Sequence, residues 1–227
     1  MAEPSPQYEQ PATTESETVP VISDPQELLQ YGVCRARIPT RVDAKKWAKE
    51  FSQVTPLNIS GEGDGEYAFY RNILEETHFP FDAILEEGSE IGNAILRHFD
   101  VVNLRDDIRL DDAFCVHYNM NQDDTSGAKH TDPSDITVNL CLEKADDTGG
   151  SHVLFYGRRN LNGARPFTRN APERFLVSQE PGFATIHWGD HPHETMPLLK
   201  GMRTNLVFTY CYTDSSRSGE AKRTCYF

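Results

Sequence analysis

From about Asp111 onward the chain is a train of short apolar runs rich in Val, Ile, Phe and Tyr, each cut off by Asp, Gly or Asn. Short β-branched and aromatic runs bounded by turn formers predict strands. They fall near 112–119, 127–132, 135–142, 151–156, 174–178, 183–188, 191–196 and 204–212. Strands this short and this regularly punctuated predict a closed or double-sheet β architecture. Ahead of them, Tyr31–Ile38 alternates like a strand that Pro39 ends. Asp43–Phe51, with Trp47, Ala48 and Phe51, and Phe81–Phe99, with Ile84, Ile91, Ile95 and Leu96, have the spacing of amphipathic helices. Gly61–Gly65 between them reads as a loop. The expected class is mainly β with flanking helices (α+β), a sheet roll buttressed on one side by helices. No internal repeat is visible.

Composition sets the boundaries. Residues 1–26 are rich in Pro, Thr, Ser, Glu and Gln, too poor in large apolar groups to offset ordering entropy, and read as a disordered acidic tail. The folded domain is expected over 27–215, with a short tail at 216–227. Net charge is −13 over 227 residues, which disfavours nucleic-acid phosphate as a partner. Residues 1–33 hold six acidic side chains and no Lys or Arg, leaving 29 acidic against 22 basic residues in the rest. No apolar run approaches the roughly 18 residues of a membrane span, and no signal-peptide pattern opens the chain. A cytoplasmic or nuclear protein without membrane or nucleic-acid partners is the expectation. The five cysteines (34, 115, 141, 211, 225) lack CxxC spacing and are odd in number, so neither a disulfide framework nor a zinc knuckle is expected. Cys115, Cys141 and Cys211 sit in apolar strand-like runs as small hydrophobes. Cys225 stands third from the end, not fourth as prenylation requires.

Two segments point to chemistry. In Lys129-His130-Thr131-Asp132-Pro133, positions i and i+2 of an extended segment face one way, so His130 and Asp132 converge. An imidazole and a carboxylate together make two thirds of a facial triad for non-haem iron(II). Alone the pair says little, since HxD recurs by chance. The second segment runs from Gly189 to Arg203 and holds His191, His193, Pro197 and Gly201. His193 follows Asp132 by 61 residues, room for several strands between them. Arg203 opens the apolar strand Leu206–Tyr210, where a guanidinium is costly to desolvate unless an anion meets it. A dicarboxylate supplies that anion through a two-pronged contact. Gly201 would make the turn ahead of it.

Taken in order, Tyr118, His130-Thr-Asp132, Gly149-Gly150, and His193 with Pro197, Gly201 and Arg203 resemble the 2-oxoglutarate/Fe(II) dioxygenases, in their prolyl and lysyl hydroxylase-like branch. The match covers roughly residues 111–212. It implies a double-stranded β-helix (jelly-roll, cupin-like) core. It also implies iron held by His130, Asp132 and His193, and the distal carboxylate of 2-oxoglutarate held by Arg203. Tyr118 matches a strand tyrosine that hydrogen-bonds the co-substrate, and Asn205 stands where relatives have a helper hydroxyl. Cys141 lies near the place of a second co-substrate tyrosine, a departure from the pattern. The implied activity is O2-dependent hydroxylation of an unactivated C–H bond, more in keeping with a protein side chain than a metabolite, and the resemblance leaves room for ascorbate as well. Asp132 argues against halogenation, which requires a small residue in its place.

Competing readings stay open at this level. His191 is two residues from His193 and could be the third ligand instead. His187 and His152 could border the pocket, His117 should face away from Tyr118, and His78 and His98 lie outside the strand region. A zinc hydrolase could use the same triad but gives Arg203 no role; a non-catalytic β-barrel binding module would leave the triad idle. The acidic balance favours a cationic substrate, whereas Arg158, Arg159, Arg165 and Arg169 in the 157–172 loop favour an anionic one.

Overall fold

The computed structural model describes residues 19–52, 70–72, 79–86, 88–122, 124–161 and 173–218, so the Gly61–Gly65 loop lies outside the described residues. In chain order the elements are β1 (Val21–Ile22), α1 (Pro25–Gln30), β2 (Val33–Arg37), α2 (Ala44–Ser52), β3 (Tyr70–Asn72), α3 (Phe81–Ile84) and α4 (Glu90–His98). The strand region follows as β4 (Ile108–Asn119), β5 (Gly127–His130), β6 (Ile136–Lys144), β7 (Gly149–Gly150), β8 (Val153–Tyr156), β9 (Arg174–Val177), β10 (Phe183–Trp188), β11 (His193–Thr195), β12 (Leu198–Lys200) and β13 (Met202–Tyr212).

All eight strands expected after Asp111 are present, and they are dealt between two sheets. One has six strands in the order β2-β10-β6-β13-β4-β3; the other has five, β1-β9-β8-β11-β5. Every pairing is antiparallel except β1 on β9. Walking from β4 to β13, the chain repeatedly crosses from one sheet to the other, which sets residues distant in sequence side by side.

The alternation along β6 and β13 decides what faces where. Ile136, Val138, Leu140 and Leu142 of β6 join Leu206, Phe208 and Tyr210 of β13, packed with Trp47, Phe51, Ile91 and Ile95 of the helices. Burying each large apolar side chain stabilises by roughly 1.5–3 kcal/mol, so this outer face fixes the register of the sheet. The intervening residues, Thr137, Asn139 and Cys141 of β6, Thr185 and His187 of β10, and Arg203, Asn205 and Thr209 of β13, therefore face the five-stranded sheet. That sheet contributes Val153, Phe155, Phe175 and Val177, buried with Ile22, Leu28 and Val33.

Three departures from the sequence expectation have local causes. The helix expected over Phe81–Phe99 is two helices, because Gly88 takes a left-handed φ of 87° and Ser89 caps the second, its Oγ accepting from Gly92 N at 2.9 Å. α1 was not expected, although Asp24 accepts from Glu27 N at 2.8 Å and Pro25 opens the first turn. Val21–Ile22, placed in the tail by composition, pairs with Leu176–Val177 and leaves Ile22 2 % exposed. Cys34, Cys115, Cys141 and Cys211 are buried and form no disulfide. Among the described residues no helix is long and apolar enough to cross a membrane.

Candidate metal centre

His193 on β11 pairs directly with His130 on β5, so two imidazoles meet across adjacent strands with ring centroids 4.4 Å apart. β5 stops at His130, and Asp132 lies just beyond it in the connection to β6, not on the strand as expected. It is held there by backbone: Asp132 N donates to the Gly189 carbonyl at 2.8 Å, and Gly189 N donates to the Asp135 carbonyl at 3.0 Å. Gly189 is required for that approach, since a Cβ would sit 2.2 Å from the Ser134 carbonyl oxygen. The result sets Asp132 Oδ1 3.5 Å from His130 Nε2 and 3.9 Å from His193 Nε2.

Ligand atoms of His130, Asp132 and His193 all lie within 4.8 Å of one another, the only such group of His, Cys, Asp and Glu among the described residues. Both rings are aimed by their far nitrogens. His130 Nδ1 donates to the Ala128 carbonyl at 2.7 Å and His193 Nδ1 to the His191 carbonyl at 2.9 Å. A carbonyl can only accept, so each Nδ1 carries a proton and each Nε2 faces Asp132, donating to the carboxylate when the ring is charged and offering a lone pair to a metal when it is neutral. Thr137 Oγ1 donates to Asp132 Oδ2 at 2.5 Å and so orients the carboxylate. Burial pushes the Asp132 carboxyl up, but His193, the His130 hydrogen bond, His187 and Thr137 outweigh it and hold the carboxyl well below its usual range. His193 is pushed down by burial, and His130 is raised by its bond to Asp132. Two neutral imidazoles and one carboxylate, with one side open to solvent through the half-exposed His130, fit a divalent metal of the iron(II) type.

Aromatic rings wall the His193 side of the group. His187 is 1 % exposed, its ring 4.8 Å from that of His193, and burial takes it down to about 4. Phe155 lies 5.1 Å from His187 and 5.6 Å from His193. His191 is not the third member. It sits in the turn before β11, not on the strand face, and its Nε2 contacts the Gly157 carbonyl at 3.1 Å. His117 points away from Tyr118 as expected, with Nδ1 2.8 Å from Thr204 Oγ1. His152 is half-buried, and His78 lies outside the described residues.

Arg203 is 2 % exposed, on the face of the six-stranded sheet turned toward the five-stranded sheet that carries His130 and His193. Its Nη1 donates to the Ser151 carbonyl at 2.5 Å, its guanidinium lies 5.5 Å from the Tyr118 ring centroid, and its Nε has no partner. No carboxylate pairs with it among the described residues. A buried cation in that state costs several kcal/mol unless an anion arrives. Tyr118 does not offer its hydroxyl freely, since it donates to the Ser126 carbonyl at 3.0 Å. Asn205 is 1 % exposed, and both hydrogens of its amide are engaged, one by Asn139 Oδ1 at 2.5 Å and one by Gln179 Oε1 at 3.0 Å. Cys141, opposite Asn205 in register, has its thiol pushed up to about 11 by burial.

Of the four arginines in the 157–172 loop, the two that are described, Arg158 and Arg159, are each paired with a carboxylate. Arg158 pairs with Glu173 at 2.5 Å over the Tyr31 ring, and Arg159 pairs with Asp190 at 3.0 Å, 7 % exposed. Arg165 and Arg169 lie outside the described residues. His187 borders the triad as the sequence allowed, whereas Thr137, Asn139 and Gln179 enter the site region without a motif to announce them. Thr137 and Asn139 alternate with aliphatic neighbours in β6, a pattern that by itself does not say which face meets water.

No protein-family model and no curated protein matches the chain. Solved structures do. HygX from Streptomyces hygroscopicus, with iron bound, is similar over 84 % of this chain and 86 % of its own at 10 % identity, TM-score 0.56. The non-heme monooxygenase ThoJ in its Ni complex matches over 83 % and 76 % at 14 % identity, TM-score 0.55. A Pseudomonas putida prolyl-4-hydroxylase matches over 82 % and 95 % at 16 % identity, TM-score 0.51. At such identities the likeness shows a shared fold.

Proposed function

We propose that this chain is an iron(II)- and 2-oxoglutarate-dependent dioxygenase that hydroxylates an unactivated C–H bond, built on a double-stranded β-helix core. The observation that supports it most is the occurrence of two features between the same two sheets: a compact 2-His-1-carboxylate group, and a buried guanidinium with no carboxylate paired to it among the described residues. A zinc hydrolase would leave that guanidinium unexplained.

In this reading His130, Asp132 and His193 hold iron(II) from one side and leave its remaining positions to ligands. Arg203 takes the distal carboxylate of 2-oxoglutarate, with the Tyr118 ring packed beside it. Iron and co-substrate, when bound, supply the oxidising chemistry: one atom of O2 enters the succinate formed from 2-oxoglutarate with loss of CO2, and the other enters the C–H bond. The chain's own work is to fix three donors and one cation in advance, with Phe155 and His187 packed against His193.

The likeness to a prolyl-4-hydroxylase supports a protein side chain of prolyl or lysyl type as substrate, and the likeness to a non-heme monooxygenase suits a small molecule. Both are tested together. Protein supplied with Fe(II), 2-oxoglutarate, O2 and ascorbate is incubated with panels of peptides and metabolites, and products are screened by mass for one added oxygen with matching succinate. Asp132→Ala should release no succinate. Turnover at the native rate in that variant would refute the assignment.

A further inference from the structure

Asn205 stands where a helper donor to the co-substrate was expected, yet its amide has no hydrogen to give. Asn205 Nδ2 donates to Gln179 Oε1, which leaves Gln179 Nε2 buried with no partner. Gln179 is 2 % exposed and lies in the turn between β9 and β10, its backbone carbonyl accepting from Lys144 Nζ at 3.3 Å. Lys144 is directly opposite Arg203 in the β6–β13 register, and Asn205 is two residues along from Arg203 on the same face. Arg203 Nε and Ser151 Oγ are also buried without partners. Two cations and an unpartnered amide N–H are thus gathered at one place, and among the described residues no carboxylate is paired with Arg203. The half-buried His152 registers the same field: burial first, then Lys144 and Arg203, hold its imidazole below the ordinary range.

We propose that Gln179 is a specificity-determining residue of the co-substrate pocket, its carboxamide N–H binding the distal carboxylate beside Arg203, with Asn205 and Asn139 as the amide chain that positions it. This rests on the oxygenase reading. Arg203 supplies charge without telling one carboxylate from another, whereas a neutral amide fixed by a second amide adds a directional donor.

The test is isothermal titration of 2-oxoglutarate, and separately of 2-oxopentanoate, which has the same chain length but no distal carboxylate, into protein loaded with Mn(II) as an inert stand-in. Gln179→Ala should weaken 2-oxoglutarate about 10- to 100-fold, the scale of one hydrogen bond to a charged group, while leaving 2-oxopentanoate and Mn(II) binding unchanged. Gln179→Glu, close in shape and therefore informative where the alanine variant fails to fold, should weaken 2-oxoglutarate by about 100-fold or more by setting a carboxylate against the ligand's own. Equal losses for both ligands would make Gln179 merely structural and overturn the inference. So would native 2-oxoglutarate affinity in the Gln179 variants alongside a large loss in Arg203→Ala, which would leave the oxygenase reading standing. Native affinity in Arg203→Ala, or no 2-oxoglutarate binding by the wild-type protein, would instead remove that reading itself.

Discussion

At the scale of single residues, the site depends on groups that aim other groups. Thr137 does not reach the open side of the triad, but its hydroxyl fixes Asp132 at 2.5 Å. Thr137→Val keeps the shape and removes the donor, so metal affinity should fall about 10- to 100-fold, measured by competition with a chelator, with little change in secondary structure by circular dichroism. Arg203→Ala should weaken 2-oxoglutarate by about 2–4 kcal/mol, a truncated buried charge pair. The gathering of His130, Asp132 and His193 and the burial of Arg203 were legible in the sequence because each has a rule behind it: i and i+2 on extended chain, a distant return strand, a cation in an apolar run. Thr137 and Gln179 were not. A polar residue alternating with aliphatic ones reads the same whether it faces water or a dry interior, and only the packing of the other face against Trp47 and Ile95 tells which.

At the scale of elements, the turn at Gly189–His191 is the hinge of the arrangement, since it bonds to the Asp132 segment and delivers His193 to β11. Gly189→Ala should force Ser134 away, destabilise the fold by about 1–3 kcal/mol as overpacking does, and weaken metal binding as well. Chemical denaturation and the chelator competition read the two effects separately. Ser89→Ala, by contrast, should cost about 1 kcal/mol through loss of the α4 cap and leave metal affinity alone. The strands after Asp111 were legible because turn formers cut them cleanly. The helices were less so: periodicity runs straight through Gly88-Ser89, and the tertiary pairing that orders Val21–Ile22 leaves no mark in local composition. The His191–His193 ambiguity had the same origin. Spacing of two suggests one face only on a strand, and His191 is in a turn.

At the scale of the whole molecule, the two-sheet topology buries imidazoles together, and acid should act on that. His187, His117, His152, His191 and His193 are all pushed below their ordinary range, burial being the largest cause for each. The folded protein keeps them neutral, while the unfolded chain takes up protons as pH falls through about 6.5. Their contribution to stability is therefore present above that pH and lost below it. His130, raised by Asp132, works in the opposite sense but is one group against five. The melting temperature of metal-free protein should fall by several degrees from pH 7 to pH 5, and a flat or rising profile would contradict this account of the buried histidines. What joins residue, element and topology is a single claim, that one metal and one dicarboxylate share the space between the sheets. Anaerobic visible spectroscopy tests it most directly. Fe(II) and 2-oxoglutarate added together should give a weak charge-transfer band that neither gives alone and that Asp132→Ala abolishes; wild-type protein showing no band with both present would contradict it.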